Sequence, residues 1–388
     1  MRSFEYDLRH GIKNLGHVLR TLRLHLSPGA AEVQRRLLEE RSLPKDRGWG
    51  SGPWLVVDLH TTRSDGQQGR RSFALITYFA RVGYEVVIVA NRGFVGNIDR
   101  KLKGLLLEQP MIVIPRLETF GGSDAVLLTD RPRSSLPHGF QRQIVLKTSG
   151  RFEPSTGELA FPFTLHPSAL HHNLDQQLDR LRDLQKHWRL FFSGACSAGF
   201  YETHWIGREF KMVPRSRVLE IIRHELPPEQ TVTPSSSTEV EGLLSQDVMG
   251  FVWVPDSIDA IPSSKWLEVL ARAVVFPAAP GVSYPMCHNI IEAMAVGTVP
   301  LTEYPEHFDP PLRHGENCFV YTGESGLRSR VREIMRMEAD ELGELSSAAA
   351  EYYDRHISPG AFVRRLEADP RPMVVLHIKG YERPPTDA

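Results

Sequence analysis

Short runs of branched apolar residues alternate with helix-patterned stretches along most of the chain, and this alternation constrains the fold more than any other feature. "WLVVDL" (54–59) reads as a buried strand, since four to eight apolar residues rich in valine and leucine suit a sheet covered on both faces. A loop "TTRSDGQQG", a helix "RRSFALITYFARVG" ending at Gly83, and a strand "YEVVIVAN" (84–91) follow. Strand, helix and strand in that order make a βαβ unit, which implies a parallel sheet. "MIVIPR" and "RQIVLKT" read as further strands, "STGELAFPFTLHPSALHHN" as irregular, and "LDQQLDRLRDLQKHW" (174–188) as a polar-faced helix.

The rhythm restarts at Arg189. "RLFFSGA" (189–195) reads as a strand and glycine turn, "SRVLEIIRHEL" as a helix, "GFVWVPD" as a strand and "PSSKWLEVLARA" as a helix. "VVFPAAPG" is a strand entering a loop, a helix spans 286–296, and "TVPL" is the next strand. The expected fold class is therefore α/β, with two Rossmann-like domains whose parallel sheets face each other across a cleft. The expected divisions are an N-terminal helical extension (1–50), an N-terminal domain (51–187), a C-terminal domain (188–357), and a helix and tail (358–388) returning toward the N-terminal domain. "DRGWGSGPW" reads as a linker, and "TPSSSTE" (233–239) as a surface loop.

The chain's 388 residues allow two ordinary cores. A formal net charge of -1 argues against a partner chosen by bulk electrostatics, such as nucleic acid. Cys196, Cys287 and Cys318 are too scattered for a disulfide framework or a conventional zinc site, so a reducing compartment, the cytoplasm, is expected. No run of about 18 apolar residues is present. Residues 8–26 place Leu8, Ile12, Leu15, Leu19 and Leu22 at helical spacing, with Arg9, Lys13, Arg20 and Arg23 between them. Such a helix either packs on its own domain with a solvated basic face or lies peripherally on an anionic membrane.

The most informative stretch is "VVFPAAPGVSYPMCHNIIEAMAVGTVPL". Gly281 lets backbone approach a ligand, and the start of the helix that follows attracts phosphate. His288 and Asn289 sit in its first turn. Glu292 lies one turn on, on the same face as His288. An acid there can accept two sugar hydroxyls; it can equally point to solvent.

These residues resemble the donor-nucleotide motif of GT-B glycosyltransferases, and within them the exostosin-like kind. The matching positions are Pro280, Gly281, Ser283, His288, Ile290, Glu292, Ala293, Gly297 and Pro300. "RHGENCFVY" (313–321), "YYDRHISPGAFVRRLE" (352–367) and "LRLFFSGA" are similar to other parts of the same nucleotide-binding domain. Tyr284 stands eight positions before Glu292, where many retaining members carry a first acid, and His288 stands where the motif usually has arginine.

The resemblance implies transfer of a hexosyl or pentosyl group from a nucleotide sugar to a glycan or lipid-linked acceptor, as in polysaccharide biosynthesis. The same fold also hosts nucleotide-sugar epimerases and hydrolases, and a binding protein without turnover is a third possibility. No Asp-x-Asp pair is present to hold a metal, so no metal cofactor is expected. Leaving-group charge then falls to helix dipoles and to cations after the turn at Gly194: Arg208, Lys211, Arg215 and Arg217. The catalytic base is expected in the loop after the first strand, from Asp58, His60 or Asp65. "RLETFGGSDAV" (116–126) reads as a second acceptor-side loop.

Overall fold

The computed structural model describes residues 15–44, 47–62, 69–148, 157–196, 206–254, 261–282 and 284–378. The strands are β1 (Ser51–Asp58), β2 (Glu85–Val89), β3 (Ile112–Ile114), β4 (Ser123–Thr129), β5 (Phe140–Lys147), β6 (Leu159–Ala160), β7 (Trp188–Ser193), β8 (Thr231–Val232), β9 (Val248–Val254), β10 (Ala273–Pro277), β11 (Val299–Thr302), β12 (Phe319–Val320) and β13 (Met373–His377). The principal helices are α1 (15–26), α2 (Pro28–Glu40), α3 (Arg70–Arg81), α4 (Arg215–Glu225), α5 (Trp266–Ala271), α6 (His288–Ala295), α7 (Gly323–Arg336), α8 (Ala339–His356) and α9 (Pro359–Glu367).

The chain forms two compact α/β units. The first comprises residues 1–162 and 359–383, and the second residues 163–358. The first sheet runs β3-β2-β1-β4-β5-β13-β6 and the second β12-β11-β10-β7-β9-β8, with every described pairing parallel. Both are Rossmann-like. Strand order reverses between β1 and β4 in the first sheet and between β7 and β10 in the second, and ligands of open parallel sheets enter beyond the carboxyl ends at such reversals.

The strand sequences explain the burial. Leu55, Val56 and Val57 of β1 have no exposed surface, as a parallel strand covered on both faces requires. On one face Trp54 and Val56 join Val87, Val89, Ile112, Ile114, Leu117, Phe120, Ala125 and Leu127. Trp49 packs onto that cluster, its ring 4.8 Å from Phe120 and 5.7 Å from Trp54. The glycine-rich "DRGWGSGPW" thus carries a core residue rather than serving as a free linker.

Other expectations are corrected. The units divide at Phe163, ahead of the 186–189 boundary, because residues 163–171 bond into the second unit's α6 region. Residues 174–188 are not one helix: a 3₁₀ turn (Leu174–Gln176) and a short helix (Leu178–Arg182) precede β7. "SDAV" in the supposed loop 116–126 opens β4, and a helix begins at Ser237 inside the supposed loop 233–239, its N-terminus capped by the Ser236 hydroxyl. The tail returns to the first unit, where β13 pairs with both β5 and β6.

Helix α1 meets the first unit through a partly polar face. His17 Nδ1 lies 3.3 Å from Thr62 Oγ1, the Thr62 amide donates to Thr21 Oγ1 at 3.1 Å, and Leu24 is buried.

Candidate functional site

At the second unit's strand reversal, β7 ends at Ser193 and turns through Gly194, whose φ of +142° favours glycine. Beside it β10 ends at Pro277 and enters the loop 278–287. Gly281 is required there by close approach, since a Cβ would lie 2.6 Å from the Tyr284 carbonyl oxygen. Its N–H donates to the Pro285 carbonyl at 3.0 Å, folding the loop back before α6 begins at His288. Cys287 is the N-cap, and no side chain caps the helix. The Asn289 amide reaches back toward the Ser193 carbonyl at 3.5 Å. Gly194, Pro280, Gly281 and Asn289 are thus brought together at the carboxyl ends of β7 and β10, whereas the His288 side chain turns to the Thr164 carbonyl.

Arg215 is the expected cation that joins them. Its guanidinium, in a residue only 6% exposed, donates to the carbonyls of Ala195 (2.9 Å), Pro280 (3.2 Å) and Ala279 (3.4 Å), and lies 3.3 Å from Cys287 Sγ. One rigid fork therefore ties the loop after β7 to the loop after β10 and leaves a positive charge near the start of α6. The other cations do not act with it. Arg217 is held by Glu220 and Glu324, Arg208 by Glu209, and Lys211 is exposed in a left-handed conformation, φ 58°. Arg208 and Lys211 precede α4, and of the two cations in its first turn Arg215 bonds inward to loop carbonyls while Arg217 pairs with surface acids. Ser283 lies outside the described residues.

Glu292 does not present an open carboxylate. It is 2% exposed, accepts the Trp266 indole N–H at 2.7 Å through Oε2, and accepts the His166 backbone N–H at 3.0 Å through Oε1. His288, also buried, donates Nδ1–H to the Thr164 carbonyl at 2.6 Å. The segment 163–171, expected to be irregular, instead carries a short helix (Pro167–His171) capped by the His166 ring. Through these bonds it docks on the face of α6 that the sequence assigns to a ligand. Trp266 and His166 were not foreseen; the available signal was an indole N–H in an apolar helix, which needs an acceptor when buried.

Tyr284, in the position of the missing acid, stacks on Phe163 at 6.1 Å between centroids, and its hydroxyl lies 3.0 Å from His307 Nδ1. Glu303, after β11, was also missed. It accepts the N–H groups of Val213 and Gly323, both at 2.7 Å, linking the approach to α4 with the start of α7. Burial raises its pKa despite these bonds.

In the first unit, β1 ends at Asp58 beside the reversal. Asp58 is 1% exposed and accepts from Asn91 Nδ2 (2.7 Å), His60 Nε2 (3.0 Å) and Arg133 (3.3 Å). Burial alone would raise its pKa, but the bonds from His60, Asn91 and Arg133 outweigh it and hold the carboxyl below its usual range. Asp58 is thus an ionised acceptor that fixes the His60 ring. Asp130, after β4, accepts the N–H groups of His60 and Thr61, both at 2.9 Å, clamping the loop. Asp65 lies outside the described residues. Among the described residues no cluster of three or more histidine, cysteine or acidic side chains is placed to hold a metal ion. The His171–His172 pair has rings 5.1 Å apart, and His172 Nε2 lies 3.4 Å from Ser263 Oγ.

No family model and no curated protein matches the chain. Solved structures similar to it include a glycosyltransferase from Rickettsia africae, at 10% identity and a TM-score of 0.42, covering 82% of this chain and 97% of that one. The Anabaena protein HepE in complex with UDP is similar at 11% identity and a TM-score of 0.40, covering 81% and 98%. An alpha-glucosyltransferase in complex with UDP and a 13-mer DNA is similar at 12% identity and a TM-score of 0.39, covering 81% and 98%.

Proposed function

We propose that the chain is a glycosyltransferase that passes a hexosyl or pentosyl group from a nucleotide-sugar donor to a glycan or lipid-linked acceptor, without a metal ion. The observation that carries this reading is the convergence at the β7–β10 reversal of Gly194, Gly281, an α6 N-terminus without a side-chain cap, and the buried charge of Arg215. A diphosphate beyond these strand ends would meet the positive end of the helix dipole and first-turn N–H groups, which stabilise negative charge as the sugar departs. Motif resemblance and site geometry favour the same place.

The acceptor oxygen must lose a proton as it attacks the anomeric carbon and the bond to the diphosphate breaks. With Asp58 ionised, His60 donates Nε2–H to it, which leaves Nδ1 as the proton acceptor. His60 is the base in this reading and Asp58 positions it. Glu292 supports α6 and the 163–171 segment rather than holding sugar hydroxyls. Peripheral contact with a membrane belongs to the same proposal, because a lipid-linked acceptor is met at a lipid surface.

Product analysis with UDP, GDP, CMP and dTDP sugars, with and without acceptors and with EDTA, tests the proposal. Acceptor-dependent transfer that survives EDTA supports it. Acceptor-independent hydrolysis, binding without product, or activity that manganese alone restores would each refute part of it.

A further inference from the structure

We propose that the outward face of α1 rests on an anionic lipid surface. The helix is docked with its apolar stripe away from the protein. His17, Thr21 and Leu24 face the first unit, where Thr62 meets His17 and Thr21. At about 100° per residue, positions 15, 19, 22 and 26 point to the opposite side. Their exposures match: Leu15 59%, Leu19 58%, Leu22 52% and Leu26 83%, with Val18 at 43% beside them. A helix that served only to cover its own domain would turn these leucines inward.

Charge selects the occupant. Arg20 and Arg23 are exposed on one flank of the stripe, and residues 8–26 contain Arg9, Lys13, Arg20 and Arg23 but no acid. A second copy of the helix would bring like charges together, whereas anionic headgroups pair with arginine while leucines enter the acyl boundary. The spacing continues in sequence at Leu8 and Ile12, outside the described residues. No described helix is long and apolar enough to cross a membrane, so the contact lies in the plane of the surface. The lipid-linked acceptor rests on the glycosyl-transfer reading; this surface stands on α1 alone.

The test is sedimentation of the full chain with vesicles of phosphatidylcholine, with and without phosphatidylglycerol. Binding is expected only with the anionic lipid, weakening as salt rises. Leu19→Glu with Leu22→Glu should lower binding by about tenfold or more, and Arg20→Gln with Arg23→Gln by about fivefold. Melting temperature should be unchanged in both variants, and nucleotide binding, read separately, should persist. Equal binding to both vesicles, variants that bind like the parent, or a dimer that Leu19→Glu with Leu22→Glu dissolves would overturn the proposal.

Discussion

The Trp266 indole donates to the Glu292 carboxylate across 2.7 Å, and the same carboxylate's other oxygen is taken by the His166 N–H. Both contacts lie within the second unit, so the acid holds α5, α6 and the 163–171 segment in register. Removing one partner of a buried charged hydrogen bond leaves the other unsatisfied, at a cost of about 1–3 kcal/mol. Glu292→Ala and Trp266→Phe should each lower unfolding free energy by about that amount, measured by urea denaturation. A Glu292→Ala protein of parental stability that no longer binds nucleotide would restore the open-acid reading.

Arg215→Lys keeps the charge but loses the planar fork that reaches the carbonyls of Ala195, Ala279 and Pro280. Nucleotide affinity, measured by calorimetry, should fall by about tenfold, since 1.4 kcal/mol is roughly the worth of one such bond. Arg217→Ala, which breaks only surface pairs with Glu220 and Glu324, should leave affinity unchanged.

Asp58→Asn removes the charge that fixes the His60 ring. The transfer rate should fall by about 10²–10⁴-fold, with nucleotide affinity retained. Because the folded-state pKa of Asp58 lies below its unfolded value, its stabilising contribution is present above the ordinary carboxylate range and is lost as pH falls through the folded value. Acid denaturation of Asp58→Asn should therefore begin from a lower stability and show a shallower pH dependence.

Burial draws the Lys186 ammonium down to about 7, where it faces the carbonyls of Ala271, Ala273 and Val296. Between about pH 7 and 10.5 the unfolded chain holds a proton that the folded chain has released. Unfolding free energy should therefore gain from this group as pH rises through that window. Lys186→Met should abolish that gain, as read from denaturation midpoints at pH 7 and 9.

Much of the fold was legible because branched apolar runs such as "WLVVDL" and "VVFP" have few alternatives to a buried parallel strand. β4 was hidden by Gly121, Gly122 and Asp124, which read as a loop although Asp124 takes a left-handed conformation at φ 59° inside the strand. The candidate site was legible only in its backbone: the turns at Gly194 and Gly281 and the start of α6 are local. The partners of Glu292 are not local. His166 lies 126 residues away in sequence, in a proline-bearing segment with no periodicity. The apolar face of α1 was visible by spacing, but which face docks depends on Thr62, which no periodicity reveals.

Thermal melting of the parent and of Asn289→Asp with UDP, GDP, CMP and dTDP sugars most directly tests whether a diphosphate sits at the start of α6. An acid in the first helical turn favours the helix itself, so the variant should fold at least as well while repelling the ligand. At least one nucleotide sugar should raise the parent's melting temperature and leave that of Asn289→Asp unmoved. Equal shifts in the two proteins, or none in the parent with any of the four, would contradict diphosphate binding at the β7–β10 reversal.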